Sequence, residues 1–270
     1  MTRMASALAV VGCSVVLGAT GCAHTGTDGD AVFTPTVGQH GKDVIWVPTS
    51  QAMVDLMLDM AGLTPADYLV DLGSGDGRLV ITAARRGATA LGIEYDADMV
   101  ALSRRLAEAE GVSGRASFAE ADIFKSDFSS ATIVTLFLLP NLNERLRPTL
   151  LNMRPGTRVV ANSFRIGDWL PDETVTLKEG CWGHCLALKW VVPAKVGGTW
   201  KMDGKELRLV QKYQMLEGSL RDSAGSLAVV EARMNGPQIQ FVAGGKRYVG
   251  HVDGDTMQGV VDGARWSATR

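Results

Sequence analysis

Apolar residues fall along this chain in two rhythms, and the change comes near residue 198. Before it, short apolar runs alternate with stretches of helical period. Tyr68–Leu72, Ala88–Ile93, Ala116–Glu120, Ala131–Phe137 and Thr157–Asn162 read as strands, and their nearly unbroken apolar character suits parallel strands covered on both faces. Between them, Met53, Leu56, Met57 and Met60 share a helix face that Gly62 terminates, Arg78–Arg86 is a second helix, and Ala97–Glu110 a third, ending at Gly111. A fourth follows Pro140, with Asn141 as predicted N-cap, Glu144 three residues on and Pro148 as a predicted break. Thr174–Leu177 and Cys185–Val192 supply two last strands, the final one antiparallel. Strand and helix in strict alternation predict an α/β, Rossmann-like doubly wound seven-stranded sheet.

From Gly198 the runs become short and alternating. They are broken by Asp203-Gly204, Asn235-Gly236, Gly244-Gly245, Asp253-Gly254 and Asp262-Gly263, dipeptides that favour hairpin turns. About eight strands fit into residues 198–270, which predicts a small all-β C-terminal domain, a barrel or a sandwich. Gly198-Thr199-Trp200 and the closing Trp266–Arg270 resemble the end pair of lipocalin-like barrels, in which a tryptophan packs under an arginine. Such a module either admits a ligand or substrate or serves only structure and assembly.

The first 43 residues stand apart from both rhythms. After Arg3, Met4–Thr20 is apolar or small, and Gly21-Cys22 precedes the polar, glycine-rich stretch Ala23–Asp30. That is the layout of a secretory signal. Ala19-Thr20-Gly21-Cys22 resembles a bacterial lipobox, with Val10-Val11-Gly12-Cys13 a second match on a shorter apolar segment. The expected division is a lipoprotein signal at 1–21, a flexible linker at 22–43, a catalytic domain at 44–193 and the β-rich domain at 198–270. A lipidated Cys22 would anchor the protein to a membrane of the cell envelope. An uncleaved apolar anchor is the alternative, since the stretch approaches the ~20 residues needed to span.

Composition excludes little else. A formal net charge of −2 over 270 residues gives no basic stripe for nucleic acid. Cys181 and Cys185, read as an extended segment, lie ~13 Å apart, too far for a disulfide unless the chain bends at Gly183. They are expected as packing residues, and with one histidine they fall short of a structural zinc set, so no metal is expected.

The chemistry is concentrated at Tyr68–Arg78. Asp71 closes the first strand, and Gly73, Ser74, Gly75, Asp76 and Gly77 turn the chain into a helix, the way an open α/β sheet builds a nucleotide site. A dinucleotide fingerprint would place glycine at Arg78, and Asp71 and Asp76 would sit where a pyrophosphate must lie. Two carboxylates suit a cationic ligand with amine and hydroxyl donors, which describes S-adenosylmethionine better than NAD. Glu94 lies 23 residues beyond Asp71 at the end of the second strand, close to the ~20-residue offset of a ribose-binding acid. Asp122, followed by Ile123, ends the third.

This Asp-x-Gly-x-Gly-x-Gly turn resembles motif I of the class I methyltransferases. Val47-Pro48-Thr49, Leu69–Arg78, Gly87–Tyr95, Asp122-Ile123, Phe164 and Trp169-Leu170-Pro171 together resemble one family in particular. It is the lysine methyltransferases that modify the c-subunit of ATP synthase, with their bacterial relatives. The resemblance covers nearly half the chain and departs at Phe137-Leu138-Leu139-Pro140. It implies that Asp71, Gly73, Ser74, Gly75, Asp76, Gly77, Glu94, Tyr95, Asp122 and Ile123 bind S-adenosylmethionine, with Trp46, Pro48 and Thr49 folded over it. Asn141, Ser163, Phe164 and Trp169, after the fourth and fifth strands, are the candidates for the acceptor side. The expected activity is N-methylation of a protein lysine. The alternatives are a small-molecule or lipid methyltransferase, or a non-catalytic lipoprotein that binds an adenosyl ligand. No Asp/Asn-Pro-Pro-aromatic loop is present, which argues against methylation of nucleobase or glutamine amino groups. Export would separate such an enzyme from a cofactor made in the cytoplasm.

Overall fold

A computed structural model describes residues 33–181 and 183–270. The leader, with Cys13 and the lipidation expected at Cys22, lies outside the described residues.

Seven strands form one sheet: β1 (Tyr68–Leu72), β2 (Thr89–Glu94), β3 (Ala116–Glu120), β4 (Ile133–Leu136), β5 (Arg158–Asn162), β6 (Glu173–Thr176) and β7 (Leu186–Val191), in the order β3-β2-β1-β4-β5-β7-β6. The first five pair in parallel, and β7 runs antiparallel to both of its neighbours. The order reverses between β1 and β4, so a crevice opens at their carboxyl ends. There Asp71 lies beside Gly92 on one side and Thr135 on the other.

Four helices cover the faces: α1 (Gln51–Ala61), α2 (Arg78–Arg85), α3 (Ala97–Ala109) and α4 (Pro140–Leu150). On α1, Met53, Met57 and Met60 bury their side chains, Ser50 caps the start and Gly62 ends the helix in the left-handed conformation. Two expectations for α4 are corrected. Pro140 occupies the first turn, where its fixed φ and missing N–H cost nothing, so Leu139 is the cap position and Asn141 lies inside the helix. Pro148 does not break the helix either, because Leu146 and Leu150 are buried against the sheet and hold the last turn in place.

The C-terminal region is a closed antiparallel barrel of β8 (Gly198–Met202), β9 (Lys205–Lys212), β10 (Met215–Asp222), β11 (Gly225–Asn235), β12 (Gln238–Ala243), β13 (Lys246–Asp253), β14 (Thr256–Val261) and β15 (Ala264–Thr269). Pairing of β15 with β8 closes it. Alternate residues point inward, and Trp200, Leu207, Phe241, Tyr248 and Trp266 fill the interior. The Arg270 guanidinium lies 4.6 Å from the Trp200 ring, the tryptophan-under-arginine arrangement expected from the sequence. Among the described residues no helix is long and apolar enough to cross a membrane.

Sheet and barrel share a seam. Trp169, in the loop after β5, is completely buried beside Trp190, and Tyr213 of the barrel stacks on it with 6.0 Å between ring centres. Trp169 is therefore a packing residue at this junction and not a wall of the acceptor site.

Candidate functional site

The turn after β1 creates the site. Gly73, Gly75 and Gly77 all have positive φ, a conformation that costs side-chain-bearing residues energy. At Gly75 a Cβ would come within 2.7 Å of the Trp46 indole nitrogen, so the bare backbone is what lets Trp46 lie across the turn. Gly77 does another job. It lies outside the cavity lining and packs against Phe118 and Ser103, where a Cβ would stand 2.6 and 2.9 Å away.

The resulting cavity is lined by Trp46, Pro48, Thr49, Asp71, Gly73, Ser74, Gly75, Asp76, Glu94, Tyr95, Asp122 and Ile123. Twelve of the thirteen cofactor candidates thus meet around one space, Gly77 being the exception.

The acids are not equivalent. Asp71 is buried at the floor, accepts a 2.7 Å hydrogen bond from the Thr135 hydroxyl and has its pKa pushed up to about 7. Desolvation is the main cause, opposed by the Thr135 hydrogen bond and reinforced by the charges of Glu94 and Asp76. Glu94 accepts backbone N–H groups from Gly75 at 2.9 Å, Tyr95 at 2.8 Å and Asp96 at 3.1 Å, so it braces the glycine turn as well as facing the cavity. Asp76 is engaged by the Arg78 side chain, and Arg78 in turn donates to the Thr49 carbonyl at 2.7 Å. This ties the segment before α1 to the glycine turn. Among the described residues the Ser74 hydroxyl, buried in the cavity wall, has no hydrogen-bond partner, an arrangement that favours an incoming polar ligand.

Residues 38–46, expected as the end of a flexible linker and the start of the fold, form a hydrogen-bonded strap over the cavity. Gly38 N–H donates to the Trp46 carbonyl, Trp46 N–H to Gln39, and Gly41 N–H to Val44, each at 2.9 Å. The strap is pinned by Lys42, whose ammonium lies 2.9 Å from Asp122 and 4.2 Å from the centre of the Tyr95 ring. That ion pair holds the Asp122 carboxyl below its ordinary range, the Lys42 hydrogen bond being the largest cause. Sequence reasoning missed Lys42, and a lone lysine in a glycine-rich stretch carries no signal for such a contact.

The acceptor candidates separate. Asn141 is exposed on α4 and outside the cavity lining. Ser163 and Phe164 stand just beyond the cavity: Phe164 stacks on Phe137 with 6.2 Å between ring centres, and Phe137 itself lines the cavity. Ser163 adopts φ +62, and its hydroxyl donates to Asn162 Oδ1 at 2.9 Å. His184, absent from the sequence candidates, completes this group by packing edge-on against Phe137, 5.0 Å between ring centres.

His184 is placed by a disulfide. Cys181 and Cys185 are bonded, with Cα atoms 5.5 Å apart, which corrects their reading as packing residues. The bend at Gly183, with φ +75, brings them within reach. Among the described residues no group of three or more His, Cys, Asp or Glu side chains is arranged to hold a metal ion.

This chain is similar to known proteins over its sheet domain. The sequence pattern of the ANTKMT methyltransferase domain matches residues 71–173. A protein-lysine N-methyltransferase of Saccharolobus islandicus (strain REY15A) is 40% identical over 148 residues, covering 54% of this chain and 92% of that protein. The lysine N-methyltransferase of the ATP synthase c-subunit from Rattus norvegicus is 36% identical over 147 residues, or 53% of this chain and 68% of that one. A crystal structure described as an RNA methyltransferase from Salinibacter ruber, in complex with S-adenosyl-L-homocysteine, is similar with a TM-score of 0.53. It shares 45% identity and covers 56% of this chain and 96% of the other.

Proposed function

The chain belongs to the class I S-adenosylmethionine-dependent methyltransferases, in the group that contains the ATP synthase c-subunit lysine methyltransferases, and we propose that its methyl acceptor is a protein lysine. One observation carries this reading. Asp71, Glu94 and Asp122, from three consecutive strand ends, open into one cavity whose far wall is Phe137, stacked on Phe164.

The residues fit the cofactor. The unpartnered Ser74 hydroxyl and the bare glycine turn offer it polar contacts and close approach, and the acidic floor suits its cationic end. In this reading Asp71 receives that cationic end, Glu94 and Tyr95 the ribose, and Asp122 and Ile123 the adenine, while Trp46, Pro48 and Thr49 cover it. Bound there, S-adenosylmethionine supplies a methyl group activated by its sulfonium. The protein's work is alignment and water exclusion, which in well-oriented reactions supply much of the rate. Phe137 and Phe164 offer ring faces to an alkylammonium chain and fix its approach. Asn141 and Trp169, one exposed and one sealed in the core, have no part in this.

Protein lysine is favoured over RNA because the formal net charge of −2 provides no electrostatic footprint for a polyanion. A small-molecule or lipid acceptor is the remaining alternative. Lipidation of Cys22 would hold the enzyme at a membrane of the cell envelope, and the Cys181–Cys185 disulfide supports that placement, since such bonds persist in oxidising compartments. The test is to incubate the purified full chain with labelled S-adenosylmethionine and, separately, membrane protein, RNA and lipid fractions. Label in protein, located on lysine by peptide mass spectrometry, is the expected result. Label confined to RNA or lipid overturns it.

A further inference from the structure

The loop between β6 and β7 reaches the same sheet edge as the cavity. β6 ends there and β7 begins there, and the connection is short and tied. Leu177 N–H donates to the Cys185 carbonyl at 2.7 Å, and the Cys181–Cys185 bond closes the loop beside it. At Gly180 a Cβ would lie 3.0 Å from that of Ala52, so the loop also rests on the first turn of α1, directly after the segment that roofs the cavity. Its one titratable ring is His184.

Ser163 and Asn162 give His184 a hydrogen-bond arrangement that can leave one ring nitrogen as a base. Ser163 has one hydroxyl proton, and it goes to Asn162 Oδ1 at 2.9 Å. With its proton there, the Ser163 oxygen accepts from His184 Nδ1, 3.2 Å away, in the tautomer that carries the imidazole proton on Nδ1. Nε2 then carries a free lone pair and has no hydrogen-bond partner among the described residues. Asn162 is itself buried, its amide nitrogen without a partner among the described residues, and Ser163 is held at a φ that serine rarely adopts. These residues hold the His184 ring edge-on to Phe137, with 5.0 Å between ring centres, and Phe137 is also part of the cavity wall.

We propose that His184 Nε2 takes the proton from the acceptor ammonium, and that the Cys181–Cys185 bond, by holding the loop, makes turnover depend on the oxidised protein. The proposal rests on the amine-acceptor reading above. In the step, an N–H bond of the ammonium breaks, its electron pair stays on nitrogen as the nucleophile, and the proton passes to Nε2 and from there to solvent. A lysine amine, with an ordinary pKa near 10.4, is almost wholly protonated at neutral pH, so a base is needed there.

The experiment compares methyl transfer against pH for the wild type, His184→Ala, His184→Gln and the wild type reduced with a phosphine, with cofactor affinity measured for each. The expected result at pH 7 is a roughly 100-fold loss of kcat in both variants, with cofactor Kd within about twofold of wild type. That loss should shrink about tenfold per pH unit as the amine deprotonates unaided. Reduction should reproduce the loss in the wild type and add nothing to His184→Ala. Glutamine keeps the size and polarity of the side chain without its basicity, so a wild-type pH profile in His184→Gln overturns the proposal. Unchanged turnover after reduction, or loss of cofactor binding in both variants, overturns it as well. If methyl appears on an RNA base or a hydroxyl, the lysine reading fails and this proposal falls with it. If it appears on lysine with an unaltered His184→Gln profile, only this proposal fails.

Discussion

Trp169 of the sheet domain donates its indole N–H to Gln214 of the barrel at 2.9 Å, across a seam from which water is excluded. The Gln214 amide returns a 2.8 Å hydrogen bond to the Leu170 carbonyl, and the Tyr213 hydroxyl donates to Asp168 at 2.6 Å. The turn between β9 and β10 therefore grips the loop that carries Phe164 toward the cavity. The barrel's interior is filled with its own side chains, and this turn is where it touches that loop.

Gln214→Leu should lower stability by about 1–3 kcal/mol, because the indole N–H loses its acceptor in a buried place. Loop placement should suffer with it, so the KM for the methyl acceptor rises while cofactor affinity holds. Deleting residues 198–270 should go further and leave an unfolded or aggregating chain, since Trp169 and Trp190 lose their cover. Thermal melts of both proteins check this, and a truncated chain with a sharp melt and intact cofactor binding would show that the seam is dispensable.

The seam also marks where sequence reading stopped. Strand ends were legible because an acid closing an apolar run at a fixed interval is a local pattern, and Asp71, Glu94 and Asp122 meet as that interval requires. The barrel was legible from turn chemistry at Asp203-Gly204, Asn235-Gly236 and their counterparts. Lys42, Gln214 and His184 act through partners 80, 45 and 21 residues away, and no local pattern encodes such contacts. Trp169 looked like an acceptor-site aromatic because it follows β5, yet burial against a domain of different rhythm decided its role. The disulfide turned on the one condition that the sequence left open, a bend at Gly183, and the glycine's left-handed backbone meets it.

Lys42→Met should loosen the strap. Its ammonium satisfies Asp122 and sits over Tyr95, contacts that a thioether cannot replace. Stopped-flow measurement should show S-adenosylmethionine dissociating about two- to fivefold faster from the variant, in line with the modest strength of exposed ion pairs. The difference should narrow at high salt. An unchanged dissociation rate would mean that the strap is held by its backbone hydrogen bonds alone.

Gly77→Ala should act on folding rather than on ligand contact. The backbone there has φ +79, and the new methyl would meet Phe118 and Ser103 well inside contact distance. A loss of about 1–3 kcal/mol is expected from overpacking and strain together, read as a lower denaturation midpoint without ligand. The phenotype should be relieved in part by Phe118→Leu, which gives the methyl room. No relief would place the whole cost in the backbone.

The buried Asp71 links the cavity to pH. Its carboxyl titrates at about 7 in the folded protein against an ordinary value of 3.8, because burial disfavours the charge. A carboxyl raised in this way stabilises the fold most below its unfolded pKa and loses that contribution as pH climbs to the folded value. Between pH 3.8 and about 7 the loss approaches an upper bound on the order of 4 kcal/mol, at about 1.4 kcal/mol per pK unit. Asp71→Asn removes the titration yet keeps an oxygen for Thr135, so the ligand-free variant should melt above the wild type at pH 8 and close to it at pH 4. Ligand binding should run the other way. The ionised carboxylate suits the cationic end of S-adenosylmethionine, so wild-type affinity should rise between pH 6 and 8, whereas Asp71→Asn should bind at least tenfold more weakly with a flat profile. Calorimetry across that range checks both, and a pH-independent affinity in the wild type would remove Asp71 from the binding step.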